Sequence, residues 1–216
     1  LRREVESTSD WENWYRHVGM NWDNVLIVSA SDAVDPAVIN RSITEAAEVL
    51  GTDPWTAFFD LVQAGGVSVN PQSMNEEQKW LALGAEYVMI DTDASPVNPE
   101  TADSSHPRAF GAFPRVIAKY VREDSVLSLE DAVRRMSSMA AQRLGLHDRG
   151  FVAPGMAADL VVFDPQQIRD MAEFGDGAMR YAEGVDFLFV NGGLVIDRGE
   201  LTDHAPGRVL RRGGGS

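Results

Sequence analysis

The sequence predicts an α/β fold followed by a smaller β-rich unit, and three observations carry that prediction. Short runs of Val, Leu and Ile alternate with amphipathic segments that open on helix-capping residues. From Gly150 onward the chain turns β-rich, in "ADLVVFD", "DFLFVNGGLVIDRGEL" and "GRVLRR". Within the second of these, Asn191-Gly192-Gly193 is a favourable hairpin turn.

Each element follows from its own residues. "NVLIVSA", Asn24 to Ala30, reads as a buried strand from its aliphatic content. "RSITEAAEVLG" opens with Ser42 and Glu45 in capping-box spacing, places Ile43, Ala46, Ala47 and Leu50 on one face, and stops at Gly51. "TDPWTAFFDLVQAGG" restarts a helix with Pro54 in its first turn and with Trp55, Phe58, Phe59 and Val62 on one face. "GVSVN" is a short strand, and "SMNEEQKWLAL" a helix with a second Ser73–Glu76 capping box. "YVMID", Tyr87 to Asp91, is an apolar run expected to be a buried strand. Strands alternating with helices imply a parallel sheet with right-handed crossovers. A polar loop from Ser95 to Ser105 precedes two helical segments, "RVIAKYVRE" and "SLEDAVRRMSSMAAQRLG". The latter starts at Ser128 and carries Leu129, Ala132, Val133, Met136 and Ala140 as one stripe.

Composition bounds the function classes. The 216 residues are 44% hydrophobic and 24% charged, ordinary for a globular chain. With no cysteine, disulfides and thiolate metal ligands are excluded within the chain. A formal net charge of −14 disfavours nucleic acid and anionic membranes as partners. No run has the roughly 20 apolar residues of a membrane span, and no secretory signal opens the chain, so a cytoplasmic location is expected. The terminal "GGGS" reads as a flexible tail.

Two constellations carry possible chemistry. Asp91 and Asp93 flank Thr92 at the exit of the "YVMI" run, where an α/β fold places its binding loops. They either form a turn before Ser95-Pro96 or present a carboxylate to a ligand. "SSHPRAFGAFPR", Ser104 to Arg115, gathers His106, Arg108 and Arg115 around two prolines. An arginine on a stiff loop suits a carboxylate ligand, and equally an acid of the chain itself. His17, His106, His147 and His204 show no paired metal-ligand spacing.

Seven segments in order resemble the C-terminal portion of the N-acyl-D-amino-acid deacylase (D-aminoacylase) family of the amidohydrolase superfamily. They are "WENWYRHVGMNWDNVLI", "DPWTAFFDLV", "YVMIDTDAS", "HPRAFGAFPRVIAKYVRE", "LSLEDAVRRMSSMAAQRLGLHDRG", "PGMAADLVVFDP" and "APGRVLRR". The resemblance implies the C-terminal part of a (β/α)8 metal-dependent hydrolase barrel followed by a small β-sandwich portion. Residues 1–149 would hold the last barrel strands and helices, 150–212 the β-rich domain and 213–216 the tail, with Tyr87 to Asp91 as the eighth strand. It also implies zinc-assisted hydrolysis of an N-acyl-D-amino acid to a carboxylate and a D-amino acid. Asp93 aligns with the family's acid–base aspartate, itself a possible metal ligand, and Arg108 with the arginine that holds the substrate α-carboxylate. Asp91 and Ala94 stand where the family pattern has glycine.

The family's other zinc ligands lie upstream of the matched region and have no counterpart here. The chain, which opens on Leu1, is therefore expected to be a fragment, inactive alone, whose partner is the missing N-terminal part of the barrel. Alternative readings are a dihydroorotase- or hydantoinase-like amidohydrolase, or a non-catalytic subunit.

Overall fold

The structure, a computed structural model, describes residues 1–7, 12–102, 105–175 and 177–211. Its described residues form two units, Leu1–Glu76 with Asn98–His106, and Glu77–Val97 with Pro107–Ser216. The tail 213–216 and Arg212 lie outside the described residues, as does Ser104.

In the first unit, two short helices, α1 (Arg2–Val5) and α2 (Trp14–His17), precede β1 (Val25–Ala30). The helix α3 (Ile43–Leu50) begins where both halves of the capping box close: Glu45 N–H donates to Ser42 Oγ at 3.2 Å, and Ser42 N–H to Glu45 Oε2 at 2.8 Å. Gly51 ends the helix in the left-handed conformation. Asp53 caps α4 (Pro54–Gln63), and β2 (Val67–Pro71) follows. The inward face of α4 is Trp55, Ala57 and Leu61, while Val62, expected there, is exposed. Trp22, Trp55, Phe58 and Phe59 pack edge-on or offset around the buried Ile27, Val38 and Ile43.

β1 and β2 pair antiparallel, Leu26 facing Asn70, in place of the expected parallel arrangement. A single crossover helix returns a chain to the end where its strand began. Here the connection instead comes back to the end at which β1 stops, Ala30 facing Val67, after Asn40 to Ser42 have already run back beside Ile27 and Leu26.

The second unit starts with the end of α5 (Glu76–Gly84). Tyr87 to Asp91 is not a strand: Val88 N–H bonds Ala85 O, and Ile90 N–H bonds the Arg135 carbonyl at 3.5 Å. Among the described residues no neighbouring strand meets its edge, and Ile90 packs against the cluster of Val116, Tyr120, Leu127 and Ala132 instead. After α6 (Arg108–Arg115) the chain passes directly into a π-helix, Val116–Glu123, closed by Asp124 N–H on Lys119 O. The single helix expected after Ser128 is two, α7 (Leu129–Met136) and α8 (Ser138–Leu144), broken at Ser137.

A four-stranded antiparallel meander completes the unit: β3 (Leu160–Phe163), β4 (Val185–Val190), β5 (Gly193–Asp197) and β6 (Glu200–Leu201). Asn191 and Gly192 both have positive φ, so the β4–β5 turn is the expected two-residue hairpin, and Arg198-Gly199 repeats the device between β5 and β6. Arg149 joins this sheet to the preceding segment. Its guanidinium pairs with Asp159 and donates to Asn191 Oδ1, while Asp159 accepts from Asn191 N–H. The "GRVLRR" run forms no strand among its described residues. No helix among the described residues is long and apolar enough to cross a membrane.

Gly184 sits at φ +82°, and a Cβ there would lie 2.5 Å from the backbone N and Cα of Ile168. Gly184→Ala is expected to destabilise the protein by about 1–3 kcal/mol, because backbone rather than a flexible side chain must yield. Urea denaturation followed by circular dichroism checks this, and an unchanged midpoint contradicts it.

Candidate active site

Asp93 lies three residues beyond Ile90, the last point at which this segment is tied into the apolar cluster. The intervening Asp91 turns back on its own chain, its Oδ1 accepting from Thr92 N–H at 2.6 Å. Of the two carboxylates, Asp91 is therefore the one engaged locally. Asp93 has φ +46°, a left-handed conformation that aspartate tolerates better than most residues but at some cost. The carboxylate projects outward, 83% exposed.

Arg108 is the first residue of α6, immediately after Pro107. Its Nη1 stands 3.1 Å from Asp93 Oδ2. The structure thus brings together the two residues that the sequence singled out from separate segments. Behind them α6 is held from its far side. Arg115 Nη1 donates to Asp170 Oδ2 at 2.9 Å, and Gly111 lies so close to Asp170 that a Cβ would meet that residue's Cβ at 2.8 Å. Burial disfavours the Arg115 charge, but the Asp170 carboxylate, with a smaller contribution from Tyr120, raises its pKa above the ordinary arginine value. Arg122 extends the anchorage, donating to the carbonyls of Pro165 and Ile168. Arg115 is accordingly a scaffold residue. His106 belongs to the other unit, as does His17.

The segment before Asp93 is held by α7. Arg135 is 2% exposed, one turn along α7 from the buried Ala132. Its Nε donates to Asp131 Oδ2 at 2.7 Å, and its Nη1 donates to the carbonyls of both Leu83 and Ala85 at 2.7 Å. Arg134 shares Asp131 through Oδ1 and reaches the Glu86 carbonyl. Leu83 lies in the last turn of α5, where carbonyls lack helical donors and cations are favoured; Ala85 and Glu86 follow the helix, and Ala85 O also accepts from Val88 N–H. The apolar stripe expected on α7 missed Arg135, and Val133, placed in that stripe, is exposed. The Asp131–Arg135 spacing of i, i+4 was the signal available for it.

Among the described residues, no three His, Cys, Asp or Glu side chains gather as a metal site. Asp93 offers one carboxylate, whereas a zinc site takes three or four protein ligands.

Mixed helices and strands with an aspartate and an arginine meeting near one apolar cluster define a class when compared with known proteins. The amidohydrolase family model matches residues 21–196, and the chain belongs to that family. Within it, the chain is 34% identical over 198 residues to the N-acyl-D-glutamate deacylase of Alcaligenes xylosoxydans xylosoxydans, covering 87% of this chain and 39% of that enzyme. It is 36% identical over 179 residues to the D-aminoacylase of the same organism, covering 82% and 35%. Among solved structures it resembles N-acyl-D-glutamate deacylase from Bordetella bronchiseptica, complexed with zinc and a phosphonate mimic of the tetrahedral intermediate. That likeness has a TM-score of 0.70 at 29% identity over 82% of this chain and 35% of that one. The chain thus spans well under half the length of these relatives.

The Asp131 carboxyl is held below its ordinary range, chiefly by its hydrogen bond from Arg135 and then by that from Arg134. A carboxyl depressed in the folded state adds stability that is complete above its unfolded pKa of about 3.9 and is lost as pH falls through the lower folded value. Asp131→Asn is therefore expected to destabilise the protein at pH 7, and the gap to the wild type should close as pH drops below about 4. Urea midpoints measured from pH 7 to pH 2.5 read this directly; a gap that widens in acid contradicts it.

Proposed function

We propose that this chain is the part of an N-acyl-D-amino-acid deacylase that supplies its acid–base carboxylate, Asp93, and its substrate-carboxylate clamp, Arg108. The observation that carries the reading is the 3.1 Å approach of these two residues from separate segments. The likeness to two deacylases over more than four-fifths of the chain supports the substrate class. In this reading the α/β part belongs to a (β/α)8 barrel and the meander to a β-sandwich, with the rest of the barrel as the chain's partner.

The pair has the right chemistry for exchange. Both side chains are well exposed, so their mutual attraction is worth at most about 1 kcal/mol. The α-carboxylate of an N-acyl-D-amino acid replaces Asp93 on the Arg108 guanidinium at little net cost, with bidentate geometry available to it. Asp93, released, accepts a proton from the water that attacks the acyl carbon. As the C–O bond forms and the C–N bond breaks, Asp93 passes that proton to the departing amine nitrogen. The products are a carboxylate and a D-amino acid.

Zinc belongs to the complete enzyme in this reading, as the zinc-bound deacylase structure supports. The described residues do not by themselves fit such a site, so this chain's own share of the chemistry is the work of Asp93 and Arg108.

The purified 216-residue chain is expected neither to bind zinc tightly nor to hydrolyse N-acetyl-D-methionine; turnover by it alone refutes the need for a partner. In a form carrying the full ligand set, Asp93→Ala is expected to abolish turnover. Arg108→Ala should lower kcat/KM by the equivalent of about 2–5 kcal/mol, mainly through KM. An unchanged kcat/KM in Arg108→Ala removes the clamp assignment.

A further inference from the structure

We infer that Arg135 is the positioning residue that sets where Asp93 stands relative to Arg108. The inference rests on the proposed function only in giving that placement a catalytic meaning; the placement itself is read from geometry.

The guanidinium of Arg135 fixes the end of α5 by bonding the carbonyls of Leu83 and Ala85. The backbone carbonyl of the same residue accepts from Ile90 N–H at 3.5 Å. One residue thus grips the chain at both ends of the short segment that leads to Asp93. Between those grips the chain has no sheet partner among the described residues, and its side chains Tyr87 and Met89 are exposed. Without the Arg135 guanidinium, the segment keeps the Ile90 N–H bond to the residue-135 backbone carbonyl, the Ile90 side chain in its apolar cluster, Val88 N–H on Ala85 O, and the bond from Arg134 to Glu86 O, but loses the grip on its opening end.

Arg108 is held through a different route to the same cluster. Helix α6 continues without a break into the π-helix, whose Val116 and Tyr120 belong to that cluster. Arg135, one turn of α7 beyond the cluster residue Ala132, ties the Asp93 segment to the body that carries Arg108. Asp131 orients the guanidinium for this task through Nε and Nη2, leaving Nη1 for the carbonyls. A lysine keeps the charge but lacks the fork that reaches Asp131 and the two carbonyls together.

The test uses the 216-residue chain and needs no turnover, so its failure is separate from failure of the deacylase reading. Amide hydrogen exchange and the guanidinium resonances of Arg108 are measured by NMR in the wild type, Arg135→Met, Arg135→Lys and Arg134→Met. In Arg135→Met, the Ile90 amide is expected to exchange about tenfold faster or more. The Arg108 resonances should shift toward those of Asp93→Ala, reporting loss of the pair, while amides of the β3–β6 meander keep their rates. Arg135→Lys should recover part of both signals, and Arg134→Met should leave Arg108 unchanged. If Arg135→Met does not fold, the Lys variant decides, with the same local changes in weaker form. Unchanged Ile90 and Arg108 signals in a folded variant overturn the inference. So does acceleration spread evenly over the meander, or loss of the fold in both variants, since each marks a general structural role.

Discussion

The buried guanidinium of Arg135 is the contact on which the segment leading to Asp93 depends. An arginine taken out of water costs several kcal/mol unless charge and hydrogen bonds replace what it lost. Here Asp131 supplies the charge and the Leu83 and Ala85 carbonyls the remaining acceptors. The Leu83 carbonyl belongs to the last turn of α5, a helix that buries none of its own residues, whereas that of Ala85 also accepts from Val88 N–H. The same bonds therefore solve two problems, satisfying a buried cation and ending an otherwise weakly attached helix. Removing Asp131 strands the buried guanidinium without its counter-charge, whereas removing Arg135 leaves Asp131 still paired with Arg134.

The two units meet their packing needs differently. The first relies on aromatic rings, with Trp22, Trp55 and Phe58 in mutual contact over a two-stranded sheet too small to stand alone. The second has a smaller apolar cluster and compensates with arginines that reach distant carbonyls. Arg122 meets Pro165 and Ile168, Arg134 meets Glu86, and Arg149 meets the β4–β5 turn through Asn191. In a chain of net charge −14, each such cation also relieves repulsion among the acids around it.

What was legible in the sequence was local chemistry. The Ser42–Glu45 box, the Ser128 cap, Pro54 at a helix start and the Asn191-Gly192 turn each depend on a few adjacent residues, and each forms as its residues require. Strand character at Tyr87 to Asp91 was not decided locally, because a strand exists only where a neighbour accepts its hydrogen bonds. The apolar run packs instead on a helical cluster, a choice made by residues about thirty to forty positions away, Val116, Tyr120 and Leu127 among them. Sheet direction was likewise set by the route of the connection, which returns to the end at which β1 stops, not by the strands' own composition. Asp93 and Arg108 were legible as residues through family resemblance, while their meeting depends on how two separate segments lie against one cluster.

The conformation of Asp93 unites these points. A left-handed φ at a residue other than glycine costs on the order of 1 kcal/mol, and the chain tolerates it where firm anchors stand close by. Ile90 and Arg135 are those anchors on one side; Arg108 on α6 is the counter-charge on the other. An exposed pair worth no more than about 1 kcal/mol does not hold the loop in place by itself. The backbone must place Asp93, which leaves the ion pair weak, as the proposed exchange with a substrate carboxylate requires. A strongly buried Asp93–Arg108 bridge would fix the same geometry but resist that exchange, since breaking it would strand a desolvated charge. Rigid support behind the residue and a weak contact in front of it are thus complementary requirements for the role proposed for Asp93, in which its carboxylate is first displaced and then accepts a proton.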